Sequence, residues 1–281
     1  MKYNEGTFKG AGGLDLYYQS WQPEGAARAA LALVHGLGEH GGRYMNIVNH
    51  LVPKGYAIYA LDHRGHGRSP GPRAFVNSWS EFIEDVGAFS RLVAQQQPGV
   101  PFFLIGHSMG GNITLNYILH HPTSHHPDGI KAVIASAPAV GKLDVPPLLA
   151  FMSRLLSGIL PRLSVATGLD ATAISRDTAV VLAYQNDLLV HSKGTPRLAT
   201  EIAASAEWAM AHAAEFKPPL LLLHGDADRL VSPQASRDFF AQIPHNNKKL
   251  IIYEGGYHEP HNDIEHERVV RDIDAWLEAY L

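Results

Sequence analysis

The sequence predicts an α/β fold with a mostly parallel central sheet, helices on both faces and an inserted helical cap. Three observations support this prediction. Six short apolar runs recur along the chain, each followed by a loop rich in Gly, Asp, His or Pro. Helical patterns lie between several of these runs, as expected for a doubly wound domain. Residues 138–217 contain no strand-like run and interrupt the alternation.

The apolar runs lack the alternation expected of a strand with one solvated face. Strands that are covered on both faces have this composition, which indicates a parallel sheet. Residues 14–21 alternate more regularly and are a candidate antiparallel edge strand. Buried strands are predicted at residues 31–35, 56–62, 102–107, 131–137, 220–224 and 250–254, and helices at residues 79–97, 112–119, 239–243 and 269–281.

This pattern divides the chain into a two-part core, residues 1–137 and 218–281, and a helical cap formed by residues 138–217. Within the cap, residues 146–160 have apolar side chains around much of a predicted helix. The pattern fits equally a lid that contacts lipid and a cap helix packed on the protein. The histidine-dense stretch HHPTSHH, residues 120–126, is interpreted as a solvated helix end rather than a ligand set.

The composition excludes several classes of protein. The 281 residues are 46% hydrophobic and 18% charged, as in a water-soluble globular protein with a large core. The net charge is −4 and no Lys or Arg run occurs, so nucleic acid is not an expected partner. The absence of cysteine excludes disulfides and thiolate chemistry. Since no signal-peptide or transmembrane pattern is found, we expect a cytoplasmic protein, with peripheral membrane contact left open.

Ser108 is the candidate nucleophile. It lies in GHSMG, after a predicted strand and before a predicted helix, where the catalytic groups of parallel sheets collect. Gly106 and Gly110 permit the close approach of strand and helix in a nucleophile elbow. The five-residue pattern also arises by chance, as a glycine-rich turn with a helix-capping serine. The decision therefore depends on partners elsewhere in the chain.

A serine nucleophile needs a histidine base, which in turn needs an orienting carboxylate. His258 follows the last predicted strand, where a loop at the carboxyl edge of the sheet brings it near Ser108. Asp226 and Asp228 both follow the preceding strand. Asp228 is favoured as the orienting acid because it lies at the tip of the loop, and Asp226 is expected to cap the turn.

Two backbone N–H groups are needed to stabilise the oxyanion that forms during acyl transfer. Met109, directly after the candidate nucleophile, supplies the first. Leu37 in VHGLGEHGG is predicted to supply the second, because the flanking glycines let its amide turn toward the same edge of the sheet.

The candidate triad and oxyanion donors occur in the chain order of a known family. The sequence resembles the monoacylglycerol lipase and lysophospholipase-like group of α/β-hydrolases, whose triad has the order Ser, acid, His. The resemblance implies an α/β-hydrolase fold with a helical cap, no cofactor, and hydrolysis of carboxylic esters of glycerol. The matching stretches span most of the chain: HGLGEHGGRY (35–44), LDHRGHGRSPG (61–71), GHSMGG (106–111), SRD (175–177), YQND (184–187), HGDADRLV (224–231) and YEGGYHEPHN (253–262).

The resemblance supports the triad and oxyanion donors named above and adds three substrate contacts. Glu39, Arg43 and His261 match positions that help to bind the polar alcohol part of the substrate. The sequence departs from the family pattern in two places. Leu37 is bulkier than the small residue often found there, and Pro260 lies beside His261.

The predicted function is hydrolysis of monoacylglycerol to fatty acid and glycerol through an acyl-serine intermediate. A lysophospholipase or a short- and medium-chain carboxylesterase is the alternative, and a catalytically inactive binding protein with this fold is a third. No metal is predicted, because His258 and His261 lack the HExxH spacing of a zinc site. The sequence leaves oligomeric state and acyl-chain length open.

Overall fold

The structure is a computed structural model that describes residues 1–121, 129–143 and 146–281. Most of the histidine-dense stretch at residues 120–126 lies outside the described residues. The strands are β1 (Lys2–Lys9), β2 (Asp15–Gln22), β3 (Ala29–Val34), β4 (Tyr56–Leu61), β5 (Phe102–His107), β6 (Ile130–Ser136), β7 (Val165–Ala166), β8 (Lys193–Gly194), β9 (Leu220–Gly225) and β10 (Lys248–Tyr253).

Eight of these strands form the central sheet in the order β1-β2-β4-β3-β5-β6-β9-β10. The strands from β4 to β10 in this order run parallel. Strands β3, β4, β5 and β9 are buried along their whole length, as their unbroken apolar runs require. The predicted fold class is therefore confirmed, and each predicted buried strand lies within two residues of an observed one.

The predicted antiparallel strand is β2, but it is not the edge of the sheet. It pairs antiparallel with β4 on one side and with β1 on the other, so β1 forms the edge. The sequence KYNEGTFK does not predict β1, because seven of its eight residues are exposed or only half-buried and it has no apolar run. Backbone pairing to β2 fixes this strand instead.

Helices cover both faces of the sheet. α1 and α8 pack on one face, and α2, α3 and α7 pack on the other. α3 begins directly after Ser108, three residues earlier than predicted, and α1 was not predicted. The helices are α1 (Met45–Leu51), α2 (Trp79–Gln96), α3 (Met109–Leu119), α4 (Pro147–Ile159), α5 (Thr178–Asn186), α6 (Pro196–Ala211), α7 (Pro233–Gln242) and α8 (His266–Glu278).

The chain between β6 and β9 contains α4, α5 and α6, and α4 packs against α6. It also contains β7 and β8, two-residue strands that pair antiparallel with each other and that the sequence does not predict. The assignment of residues 138–217 as a separate cap stays a prediction. Among the described residues, no helix combines the length and apolar character needed to cross a membrane.

Candidate active site

Ser108 lies at the turn between β5 and α3 with φ 54° and ψ −119°. A non-glycine residue in this left-handed region is strained, and such strain is typical of a nucleophile elbow. The turn brings the strand and the helix very close together. A Cβ atom on Gly110 would lie 2.2 Å from the Val34 carbonyl oxygen, and one on Gly106 would lie 2.4 Å from the Gly110 carbonyl oxygen. The turn therefore requires glycine at both positions.

His258 lies between the serine and an aspartate. Its Nε2 is 2.9 Å from Ser108 Oγ, and its Nδ1 is 2.7 Å from Asp228 Oδ2. Because an ionised carboxylate only accepts hydrogen bonds, the ring proton is on Nδ1 and Nε2 can accept the serine proton. Asp226 instead accepts a hydrogen bond from the Gly255 N–H at 2.5 Å. The structure thus brings together the three residues predicted as the triad.

Asp228 is held in place by more donors than the sequence predicts. Its Oδ1 accepts the backbone N–H groups of Leu230 and Val231 at 2.7 and 3.0 Å, and its Oδ2 also accepts from His224 Nε2 at 3.0 Å. Burial alone would raise the pKa of Asp228, but His258 and these hydrogen bonds hold it well below its usual range. His224 was not predicted; its only signal is its place at the end of β9, in HGDAD.

The electrostatic surroundings of His258 favour the protonated form of its ring. Burial disfavours the charged imidazolium, but the carboxylate of Asp228 outweighs burial and raises the pKa of His258 above its ordinary value. The aspartate therefore both orients the ring and stabilises the cation that forms when the ring takes a proton.

Leu37 and Met109 lie beside Ser108 in the lining of the same cavity. Met109 is the first residue of α3, so its N–H has no intrahelical acceptor. In the described part of the chain, neither the Leu37 nor the Met109 N–H donates to a protein acceptor. Both N–H groups are therefore unpaired, whereas the neighbouring Gly36 N–H donates to Glu39 Oε1 at 2.6 Å.

Glu39 and Arg43, two of the residues predicted to bind substrate, belong to a buried ion-pair network. Glu39 Oε2 accepts from Arg43 Nη1 at 2.8 Å, and Glu39 Oε1 accepts from the Tyr44 hydroxyl at 2.7 Å. Arg43 also binds both carboxylate oxygens of Glu259, at 2.7 and 2.8 Å. Glu39 and Glu259 line the cavity, and Arg43 lies behind them. Glu259 was not predicted, and its signal is its position next to His258.

Two carboxylates share one guanidinium in this network, and their pKa values move in opposite directions. Burial would raise the pKa of Glu259, but Arg43 outweighs burial and lowers it. Burial raises the pKa of Glu39 in spite of Arg43, and the charge of Glu259 adds to the rise. The network is therefore rich in hydrogen-bond acceptors and carries no free positive charge.

His261, the third predicted substrate contact, lies behind the cavity wall. Its ring stacks on Tyr44, with 4.6 Å between the ring centroids and 7° between the planes. Burial lowers the pKa of His261 to about 4, so the ring is neutral. Its Nε2 has no hydrogen-bond partner among the described residues.

The cavity above Ser108 has a volume of about 630 Å³, within the usual range for small-molecule sites. Glu39 and Glu259 form a polar patch in its wall. Both are paired with Arg43, whose guanidinium lies 4.6 Å from the centroid of the Tyr184 ring. In the described ranges no cluster of three His, Cys, Asp or Glu side chains could hold a metal ion. The larger apolar lining residues include Val140, Leu143, Ile174, Ile202, Leu230 and Val231.

Residues 25–265 match the family model Hydrolase_4, described as serine aminopeptidase, S33. The monoacylglycerol lipase of Mycolicibacterium smegmatis is 36% identical over 280 residues, which cover 99% of this chain and 98% of the relative. Phospholipase YtpA of Bacillus subtilis is 30% identical over 255 residues, which cover 90% of this chain and 96% of the relative.

A solved structure of a relative is also similar to this chain. The crystal structure of the monoacylglycerol lipase of Paleococcus ferrophilus superposes with a TM-score of 0.84 at 34% sequence identity. The match covers 95% of this chain and 99% of the other. Sequence similarity therefore extends over at least 96% of each of the two curated relatives, and similarity in fold over 99% of the solved chain.

Proposed function

This chain belongs to the Hydrolase_4 family, and we propose that it hydrolyses monoacylglycerols to fatty acid and glycerol through an acyl-serine intermediate. The observation that carries this proposal is the continuous hydrogen-bonded series from Asp228 through His258 to Ser108, in the lining of the cavity. The series supports a serine ester hydrolase over an inactive binding protein, because it holds the hydroxyl, the base and the acid at bonding distance.

The proposed reaction is acyl transfer in two steps. His258 takes the proton of Ser108 as Oγ attacks the ester carbonyl, and the N–H groups of Leu37 and Met109 stabilise the oxyanion. The C–O bond to the alcohol breaks as His258 returns the proton to the leaving oxygen. A water, deprotonated by His258, then attacks the acyl carbonyl. The bond between this carbon and Ser108 Oγ breaks, His258 returns the proton to Oγ, and the fatty acid leaves, while Asp228 stabilises the imidazolium in both steps.

The lining of the cavity supports a substrate with one apolar chain and one polar head. The apolar lining residues offer an acyl chain a surface without hydrogen-bonding groups, whereas the polar patch offers the carboxylates of Glu39 and Glu259. Carboxylates accept hydrogen bonds from hydroxyl groups, which a glycerol head supplies. The relatives named monoacylglycerol lipases support the same substrate class.

The charge of the polar patch favours a neutral head group over a phosphate. Arg43, the cation closest to the patch, is already shared by two carboxylates, and its side chain is only 8% exposed. Lys142 and Arg229 also line the cavity, but both are exposed to solvent, which screens them. We therefore propose monoacylglycerol rather than lysophospholipid, although one relative is named a phospholipase.

A hydrolysis panel tests this proposal. It compares a monoacylglycerol, a triacylglycerol and a lysophospholipid with the same acyl chain, a soluble short-chain nitrophenyl ester and an aminoacyl nitroanilide. We expect the highest kcat/KM among the lipids on monoacylglycerol and no release from the nitroanilide. A lysophospholipid as best substrate would overturn the head-group proposal, and activity on the nitroanilide alone would overturn the ester hydrolase proposal.

Replacing Glu259 with glutamine tests the charge of the polar patch. Glu259→Gln removes one negative charge and leaves Arg43 partly free, so we expect kcat/KM on lysophospholipid, relative to monoacylglycerol, to rise about tenfold. A charge at about 8 Å in an effective dielectric of about 20 contributes roughly 2 kcal/mol, enough for this ratio. The matched control is Asp170→Asn, which removes the same charge from an exposed position in the cavity lining. An equal rise in both variants would contradict the proposal.

We further propose that α4 contacts the lipid surface from which the substrate is taken. Leu148, Phe151, Leu155 and Ile159 recur at helical spacing, and 74%, 63%, 49% and 66% of their surfaces are exposed. On another side of the helix, the buried Ser157 bonds to α6 through Thr200 at 2.9 Å. Exposure of this apolar face favours a lid that contacts lipid over a helix fully packed on the protein.

The cytoplasmic location of the protein stays a prediction.

Phe151→Glu/Ile159→Glu is the variant that tests the lid. Removing two large side chains that each contribute about 1.5–3 kcal/mol on burial lowers activity on dispersed long-chain monoacylglycerol at least about tenfold. Activity on a soluble short-chain ester stays within about twofold of wild type. Ile264→Glu, at an exposed apolar position after β10, is the matched control. Equal losses on both substrates would show that the face serves folding rather than lipid contact.

A further inference from the structure

We infer that residues 173–191 form a strap that holds the base loop and the oxyanion loop in their catalytic positions, an inference that rests on the proposed serine hydrolase function. The base loop is defined as residues 257–263, which carry His258, and the oxyanion loop as residues 36–42, which carry Leu37. The two loops follow different strands, β10 and β3, which are separated in the sheet by β5, β6 and β9. The strap contacts both.

The first end of the strap pairs with the backbone of the base loop. The N–H of His258 donates to the Ala173 carbonyl at 3.4 Å, and the N–H of Glu259 donates to the Ile174 carbonyl at 2.8 Å. These two backbone bonds act on the base residue itself and on the residue that follows it. The position of the His258 ring relative to Ser108 therefore depends on the strap.

An ion pair between the half-buried Arg176 and the buried Asp263 reinforces this end. Arg176 donates to Asp263 twice, from its backbone N–H and from its side-chain Nε, both at 2.8 Å. The same carboxylate accepts the N–H of Tyr257 at 3.0 Å. Because Asp263 is only 1% exposed, it has little access to water as an alternative partner. Arg176 thus fixes the residue directly before the base.

The second end of the strap pairs with the oxyanion loop. The N–H of His191 donates to the Gly38 carbonyl at 2.8 Å. Gly38 has φ 76°, and a Cβ there would lie 2.4 Å from the His191 carbonyl oxygen, so the approach requires glycine. The Gly38 carbonyl lies two peptide groups after the Leu37 N–H, so this contact constrains the direction in which the oxyanion donor points.

A histidine–aspartate contact closes the second end. His40 Nε2 is 2.8 Å from Asp187 Oδ2, and His40 Nδ1 accepts the N–H of Gly42 at 3.1 Å. The two contacts together place the ring proton on Nε2. Asp187 also caps its own turn, with Oδ1 accepting the N–H of Leu189 at 2.8 Å. Both partners are therefore held in a single orientation.

α5 connects the two ends as a rigid spacer. Tyr184, on its last turn, lies over the guanidinium of Arg43, which itself joins Glu39 of the oxyanion loop to Glu259 of the base loop. The strap and this network thus link the same two loops from two sides. A shift of about 1 Å in either loop would misplace the base or the oxyanion donor and cost about a hundredfold in rate. The strap is a positioning element, whereas α4 is the part proposed to contact lipid.

Variants at the two ends test the inference on a soluble short-chain nitrophenyl ester, which does not depend on lipid contact. We expect Asp187→Ala and Arg176→Ala each to lower kcat about 10- to 100-fold, with KM within about threefold of wild type. Arg176→Lys restores part of the loss. The double variant His40→Ala/Asp187→Ala is no slower than the slower of its single variants, because both substitutions remove one contact.

Asp177→Ala is the matched control. Asp177 caps the start of α5 through the Ala179 N–H at 2.8 Å, the same kind of carboxylate-to-backbone bond that Asp187 makes at the other end. Among the described residues, the Asp177 carboxylate forms no hydrogen bond with either catalytic loop. We expect a lower melting temperature and kcat within about threefold of wild type. Equal kcat losses in Asp177→Ala and Asp187→Ala would show that only helix stability matters.

The outcomes separate this inference from the proposed function. Wild-type activity with unchanged kcat in Asp187→Ala and Arg176→Ala refutes the strap and leaves the hydrolase proposal standing. A wild type that hydrolyses none of the esters refutes the proposed function itself. If the alanine variants do not fold, Asp187→Asn and Arg176→Gln are measured instead, and kcat equal to wild type in both overturns the strap.

Discussion

Ser108→Ala is expected to lower kcat on every ester about 10⁵- to 10⁶-fold and to abolish labelling by a fluorophosphonate probe. The reason is geometric: Ser108 Oγ is the hydroxyl that lies 2.9 Å from His258 Nε2, and the elbow presents it in the cavity. Steady-state rates on the soluble nitrophenyl ester, together with probe labelling of the intact protein, measure both effects.

The control for this variant is Ser136→Ala. Ser136 ends the neighbouring strand β6, and its carbonyl accepts the Ser108 N–H at 2.9 Å, a contact that the substitution keeps. Its own hydroxyl has no hydrogen-bond partner in the described residues. We expect kcat within about threefold of wild type and full labelling. Labelling that survives in Ser108→Ala would place the nucleophile elsewhere.

Asp228→Asn is expected to lower kcat about 10⁴-fold while leaving the fold and KM largely intact. The asparagine has one oxygen in place of two, and its amide can donate to Nδ1 of His258, which favours the wrong tautomer of the ring. The variant also removes the charge that stabilises the imidazolium. Asp226→Asn, two residues earlier in the same loop, is the control, because Asp226 contacts the Gly255 backbone rather than His258.

The pH dependence of kcat/KM gives this prediction a second measurement. The base must be neutral to take the serine proton, so activity falls as the pH drops through the pKa of His258. In the wild type Asp228 raises that pKa, which places the acidic limb above the ordinary histidine value. Removing the charge lowers the pKa, so the limb of Asp228→Asn moves to lower pH. A limb that does not move would show that Asp228 is not the partner of the base.

Much of the fold follows from local sequence patterns. Buried parallel strands such as β5 are unbroken apolar runs, and α2 shows its 3.6-residue period, so both are predictable to within a residue or two. β1 and α1 are not, because each depends on contacts made elsewhere in the chain. β1 exists through its backbone pairing to β2, and α1 is a seven-residue helix that packs on the sheet and against α8.

The candidate site, like the fold, is predictable from the sequence only in part. Ser108, Asp228 and His258 could be named from the sequence because each follows a strand, and the carboxyl ends of parallel strands meet at one edge. The choice of Asp228 over Asp226 rested on loop position, and the structure shows the two carboxylates bonded to different partners. Position at the loop tip is the only local signal that separates the two residues, and the contact to the histidine itself depends on how the loops meet in the folded chain.

The α/β class, the parallel strands and the candidate residues at their ends follow from the amino-acid sequence, because they depend on periodicity and on chain order. Tertiary structure alone decided which polar groups are paired with one another. Glu259 neutralises Arg43, and Asp187 meets His40, across 216 and 147 residues of chain. Such pairs are made by the folding of distant loops onto one another, so no local pattern encodes them, and they determine the charge of the cavity wall and the positions of the catalytic loops.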